Sequence, residues 1–278
     1  MKGNLQEYLK TYKPRENETI KNGMLYCTLC NDKKIYVHTN KEFYHCTCKC
    51  QQERYKQQEE QKQQEKQMRY LQTLKNDSLL YNKYKEFDFE KFDLDRPENI
   101  VNAFKFCKEY CEQIAENVIK GTSIYLYGEN NGTGKTRLSV CIANYALNKY
   151  IPTLFTSMYE ILRTIKAIYD KQNNLNEDAY IQKISNIDLL VLDDFGAELK
   201  NKNNDFFNEI VFQILDKRLK NNKATIFTSN YGLKELIAKG FTRRNAERIL
   251  EMCLNNFIKL TGSSYRLKLL KNAQNGTK

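Results

Sequence analysis

The sequence predicts an α/β domain built on a parallel sheet and preceded by a small metal-held module, and three observations carry that expectation. Four cysteines fall at paired spacing near the start, a glycine-rich loop joins an apolar strand to a helical stretch, and a second apolar strand ends in two aspartates. A chain of 278 residues is long enough for one such domain and a small extra unit. The expected organisation is a zinc-binding module over 1–50, a tether over 51–75 and the α/β domain over 76–278.

Bulk properties narrow the setting. There is no run of about 18 apolar residues, and the opening MKGNLQEYLK lacks the apolar centre of a signal peptide, so a soluble cytoplasmic protein without a membrane partner is expected. Nine cysteines in such a chain point to metal ligands or buried thiols rather than disulfides. The net charge of +11 is uneven: +6 over 1–75, −2 over 76–238 and +7 over 239–278. Two basic ends suit contact with phosphate or with an acidic protein at separate surfaces, and general solubility accounts for them equally well.

In the first segment, Cys27-Thr-Leu-Cys30 is followed after fifteen residues by Cys46-Thr-Cys48, with Cys50 next. Each short pair can present two thiolates to one ion, and KKIYVHTNKEFYHC between them can return as a hairpin. Four protein ligands leave no open position for water, so the role is structural: about 50 residues bury too little apolar surface to fold unaided. The favoured Zn2+ set is Cys27, Cys30, Cys46 and Cys48. His45 and Cys50 flank the second pair and either can replace one of its thiolates, whereas His38 reads as a surface residue. From Gln51 to Gln67, eight of seventeen residues are glutamine and only Tyr55 is apolar, which makes a solvated helix or tether.

The EFDFEKFDL stretch before the core offers Phe87, Phe89 and Phe92 either to an adenine ring or to packing. SIYLYG (Ser123 to Gly128) then reads as a strand, and KTRLSVCIANYALN as a helix. Between them Gly132-Thr133-Gly134-Lys135-Thr136 has the composition of a phosphate loop: the glycines let backbone N–H groups converge on phosphate oxygens, Lys135 bridges the β and γ phosphates, and Thr136 offers its hydroxyl to Mg2+. The leading glycine of that pattern is displaced by one residue, with Glu129 in its usual place and Gly128 before it. A one-residue bulge with Gly128 as the exit turn would keep the cradle.

Between the second and third expected strands, SMYEILRTIKAIYDKQ carries Tyr159, Arg163, Lys166 and Tyr169, suited either to single-stranded DNA or to an amphipathic helix packed by Ile161, Leu162 and Ile165. NIDLLVLDDFGAE supplies a buried parallel strand over Leu189 to Leu192 with Asp193 and Asp194 at its C-terminal end, where open α/β sheets bind ligands. Asp193 is the candidate for holding Mg2+ through water, and Asp194 for orienting or deprotonating an attacking water, a role Glu198 can share. ATIFTSN ends a third strand in Asn230, able to report on the γ phosphate or simply to make a turn. Arg248 and Arg266 are candidates for stabilising charge on a transferring phosphate from a neighbouring subunit, with Arg243 and Arg244 as competitors.

In this order the motifs CTLC, CTC, GTGKT, LLVLDDFGAE, TSN with LKEL, and ERI with GSSYR resemble the DnaC/DnaI-type replicative helicase loaders, a branch of the AAA+ ATPases, through most of the chain. The resemblance implies an AAA+ core with a five-stranded parallel sheet, ATP bound between subunits of a homo-oligomer, and an N-terminal module that grips the replicative helicase for delivery to single-stranded DNA. It assigns the first sensor to Asn230, the arginine finger to Arg248 and the second sensor to Arg266. Sixteen residues after Gly262 are too few for a helical lid, in keeping with the lidless plan of those loaders. Two other functions fit the motifs: a transposition helper resembling the IstB proteins, and a zinc-dependent regulatory protein that binds nucleotide without turning it over.

Overall fold

The computed structural model describes residues 5–37, 43–78, 84, 86–170, 176–199 and 204–265. The chain divides into two compact units, residues 1–69 and 70–278. The expected boundaries at 50 and 75 flank this division, which falls inside a helix.

The first unit opens with helix α1 (Leu5–Thr11) and a hairpin of β1 (Glu18–Lys21) and β2 (Met24–Cys27). Asn22 and Gly23 turn it with φ of 48° and 67°, the left-handed pair that matches the twist of a two-residue hairpin. A second hairpin joins β3 (Ile35–Val37) to β4 (Phe43–His45), pairing Ile35 with His45. Among the described residues the unit's apolar core is Leu9, Leu25 and Ile35, flanked by Leu5, Tyr8, Tyr12 and Ile20. So small a core needs staples. One is a buried ion pair, Lys34 Nζ to Glu18 Oε1 at 2.7 Å, to which the Tyr12 hydroxyl adds a 2.8 Å bond on Oε2. Burial alone would raise the Glu18 carboxyl, but hydrogen bonds from Lys34, the Arg15 amide and Tyr12 hold it at about 2. Helix α2 (Lys49–Asp77) follows; its glutamine-rich stretch is exposed, while Leu71 and Leu74 near its end are buried.

In the second unit, α3 (Glu98–Glu112) and α4 (Ile114–Ile119) precede β5 (Ile124–Tyr127) and α5 (Lys135–Asn148). Then come β6 (Thr153–Ser157), α6 (Met158–Asp170), α7 (Glu177–Asn186) and β7 (Leu189–Asp193). The unit continues with α8 (Asp205–Lys220), β8 (Ala224–Ser229), α9 (Leu233–Ala238), α10 (Arg243–Cys253) and β9 (Phe257–Lys259). The five strands form one parallel sheet in the order β6-β7-β8-β5-β9.

Both faces of the sheet are covered, which is why its inner strands read as unbroken apolar runs. Leu190, Leu192, Tyr125 and Phe227 face a core built with α6 to α10, and Leu189, Val191, Ile124 and Ile226 face one built with α3 to α5. Arg218 on α8 is fully buried, and its guanidinium donates to the carbonyls of Ile184, Ser185, Ile187 and Ala224 and to Thr225 Oγ1. It ties the end of α7 to the start of β8. Among the described residues no helix is long and apolar enough to cross a membrane.

Candidate nucleotide site and cysteine cluster

All five strands run the same way, so the residues that follow β5, β7 and β8 emerge at one edge. A cavity of about 390 Å3 opens there, lined by Asn131 to Arg137, Asp194 and Asn230, together with Tyr84, Phe87, Arg96 and Tyr265. Gly132 and Gly134 have φ of 78° and 114°, and α5 begins at Lys135 directly behind them. The loop therefore presents its backbone at a helix N-terminus, an arrangement that attracts phosphate. The displaced Gly128 has its own steric reason: a Cβ there would lie 2.1 Å from Leu260 O, where the chain leaving β9 bonds to Tyr127 O at 2.7 Å. Only glycine admits that approach.

Lys135 donates to Gly128 O at 2.8 Å and Asn130 O at 3.0 Å. Burial lowers its pKa, and the charges of Asp194 and Asp193 oppose that shift. Asp193 Oδ1 accepts from Thr136 Oγ1 at 2.9 Å and from Thr228 Oγ1 at 2.6 Å, and the Thr228 oxygen in turn accepts the Asp194 amide at 2.9 Å. Burial raises the Asp193 carboxyl, Asp194 adds to the rise, and the two threonine bonds oppose it. A hydroxyl and a carboxylate brought to one point are hard oxygen donors of the kind Mg2+ takes. Asp194 is exposed in the cavity with φ of 51°, a left-handed conformation uncommon outside glycine that turns its carboxylate away from the strand direction.

Other expected residues lie elsewhere. Glu198 is outside the cavity lining; burial raises its carboxyl, the backbone of Glu198, Tyr159 and Gly196 opposes the rise, and its Oε2 is buried without a hydrogen-bond partner among the described residues. Arg248 pairs with Asp216 at 3.2 Å on α8 and does not line the cavity of its own chain, while Arg244 stacks 3.4 Å over the Phe212 ring. Arg266 lies outside the described residues, as does His38. Of the three phenylalanines, Phe87 lines the cavity, whereas Phe89 and Phe92 pack on Phe104 with ring centroids 5.7 and 5.1 Å away. Tyr159 and Tyr169 are exposed on α6, and Ile161 and Ile165 are buried beneath it.

The first unit gathers four thiols, and they are not the four expected. Cys27, Cys30, Cys48 and Cys50 have sulfurs within 4.8 Å of one another, with Cys48 and Cys50 3.2 Å apart. Cys50 replaces Cys46. The reason is the start of α2 at Lys49: the first helical turn carries Cys50 back beside Cys48, with the Gln51 and Gln52 amides on Cys48 O. Cys46 is held by the Lys34 carbonyl through its amide, and its Sγ donates to Lys33 O at 3.3 Å. His45 bonds the Tyr8 hydroxyl at 2.8 Å. The Cys27 thiol is lowered to about 6 by the amides of Cys30 and Leu29, with burial opposing, whereas the hydrogen bond with Cys48 and burial push the Cys50 thiol up.

A sequence family described as IstB-like ATP binding protein matches residues 44–273. This chain belongs to the IstB-like ATP-binding family. Within it, the chain is similar to the replicative helicase loader DnaC of Buchnera aphidicola subsp. Baizongia pistaciae, 27% identical over 205 residues covering 72% of this chain and 77% of the relative. The solved structure of DnaI matches with a TM-score of 0.53 at 25% identity, over 67% of this chain and 94% of that one. A DnaC helicase loader structure matches with a TM-score of 0.55 at 21% identity, over 65% and 99%. The resemblance to helicase loaders and the AAA+ sheet expected from it are both borne out.

The Gly132–Thr136 loop, Asp194 and Asn230 line one cavity, and Asp193 is bonded to Thr136 at its edge. Sequence reasoning missed Thr228, Arg96, Arg137 and Tyr265. Thr228 was within reach, as the hydroxyl two residues before Asn230 on the same strand face. Arg137 directly follows the loop, whereas Arg96 and Tyr265 join the cavity from segments more than a hundred residues apart, and no local pattern marks those two.

Proposed function

We propose that this protein is an ATP-switched loader of the hexameric replicative helicase onto single-stranded DNA at replication initiation, acting in the cytoplasm. The observation that carries the reading is the joint one: a phosphate loop, Thr136 with Asp193, and Asp194 lie at one sheet edge, in a chain whose relatives are named replicative helicase loaders. ATP binds at Gly132 to Thr136, with Lys135 at its β and γ phosphates. Thr136 and Asp193 hold Mg2+, which supplies charge neutralisation on the phosphates. Asp194 orients and deprotonates the attacking water, and Asn230 reads the γ phosphate. ATP promotes assembly with further copies of this chain, from which Arg248 and Arg266 reach a neighbour's nucleotide. Hydrolysis is slow and times release.

Zn2+ sits on Cys27, Cys30, Cys48 and Cys50 and keeps the first unit folded as the helicase-binding module. The test is to mix the protein with the replicative helicase of its host and read the mass of the complex by native mass spectrometry, first with ATP and then with ADP. A complex whose stability depends on the nucleotide is expected. A second reading, a transposition helper acting with a transposase on duplex DNA, draws on the family's IstB-like description. No helicase complex in either nucleotide state, given bound zinc and ATP, would favour it.

A further inference from the structure

The carbonyl oxygens of the phosphate loop need donors of their own, because the loop turns its N–H groups inward. Gly128 O and Asn130 O are both served by Lys135. A lysine drawn to phosphate cannot keep serving both. Two other donors act from outside the loop: the Tyr265 amide on Gly132 O at 3.1 Å, and Arg96 Nη1 on Thr133 O at 3.2 Å.

Those two residues are themselves joined. The Arg96 guanidinium lies 3.9 Å over the Tyr265 ring and 5.3 Å from the Phe92 centroid, and the Tyr265 hydroxyl bonds Asp93. The segment that carries Tyr265 crosses the loop closely: Asn130 Nδ2 donates to Gly262 O at 2.9 Å, and a Cβ on Gly132 would meet Ser264 Oγ at 2.3 Å. Asn99 ties down the start of the segment through Thr261 O and Oγ1. Arg96 Nε is buried with no hydrogen-bond partner among the described residues, and Arg96 lines the nucleotide cavity.

We infer that Arg96 is a positioning residue of the nucleotide site, which locks the phosphate loop to the Gly262–Tyr265 segment and so couples occupation of the loop by a nucleoside diphosphate or triphosphate to the environment of Tyr265. The inference rests on the cavity being the nucleotide site. Arginine suits the task because one planar group both stacks and hydrogen-bonds; lysine can supply the charge without the stack.

The chain contains no tryptophan, so Tyr265→Trp installs a single tryptophan, excited apart from the tyrosines at about 295 nm, at the coupled position. Its emission should change on titration with Mg2+-ADP. In the Tyr265→Trp/Arg96→Gln double variant that change should disappear and ADP affinity should fall by about tenfold or more, the worth of a charge-assisted hydrogen bond. Arg96→Lys should fall between. Thermal melts run on every variant identify loss of fold, and if Arg96→Gln does not fold, Tyr265→Phe, which keeps the ring and loses only the hydroxyl bond to Asp93, should hold ADP affinity, while Tyr265→Leu, which also removes the stack, must weaken it. A Tyr265→Trp/Arg96→Gln protein that folds and keeps the ADP affinity of Tyr265→Trp within about twofold and its full emission change would overturn the inference. So would a lowered melting temperature with affinity and emission unaltered. Wild type that binds ADP, and loses it on Lys135→Ala, keeps the nucleotide site standing while Arg96 fails; wild type that binds no nucleotide removes both.

Discussion

Asp193 and Asp194 are adjacent in the chain and opposite in environment. Asp193 is half-buried and held by Thr136 and Thr228, whereas Asp194 is exposed in the cavity with its amide on Thr228. The division suits a metal-associated carboxylate beside one that handles water. Asp194→Asn keeps the shape and removes the base, so ATP binding should be retained while hydrolysis slows by about a hundredfold. Equal phosphate release from wild type and variant would refute that role. Thr228→Val keeps the volume but deletes the hydroxyl that serves both aspartates. Steady-state hydrolysis should fall at least tenfold, roughly one charge-assisted hydrogen bond, with little change in melting temperature. A variant that turns over normally would mean the hydroxyl is dispensable.

Elements are set by their junctions as much as by their own sequences. Helix α2 begins one residue after Cys48, and that start decides the ligand set by bringing Cys50 to the cluster. Cys50→Ser should therefore lose the thiolate-to-Co2+ absorption of a cobalt-loaded sample, while Cys46→Ser should retain it. The reverse pattern would restore Cys46 as the ligand. In the second unit, Arg218 fastens α7 to β8 through five acceptors. Arg218→Met fills much of the space but strands buried carbonyls, each costing about 1–3 kcal/mol. A loss of about 3 kcal/mol or more in urea unfolding is expected, and a shift below about 1 kcal/mol would mean the carbonyls find other partners.

At the scale of the whole molecule, two compact units carry the two chemistries. The cysteine cluster belongs to residues 1–69, and the cavity belongs to residues 70–278. Removing the metal with a chelator should abolish helicase binding and leave ATP affinity unchanged. A fragment of residues 70–278 should fold and bind ATP as the full chain does, since it retains both apolar cores. Loss of ATP binding on either treatment, measured by titration calorimetry, would mean that the nucleotide site depends on the first unit.

Much of this was determined by sequence alone. Apolar runs of four or five residues ending in polar tips read as buried strands of a parallel sheet, and GTGKT after one of them marks the phosphate loop because both its glycines serve the local backbone. Paired cysteine spacing likewise announced a thiol cluster, since each pair is a local turn. The remainder was decided by tertiary structure. Whether Cys46 or Cys50 joins the cluster depends on where a helix starts, and terminal turns are weakly encoded. The steric need for Gly128 arises from Leu260, and the roles of Thr228, Arg96 and Tyr265 arise from partners far along the chain. Local periodicity records which face of an element is buried; it carries no record of which distant segment that face or turn will meet.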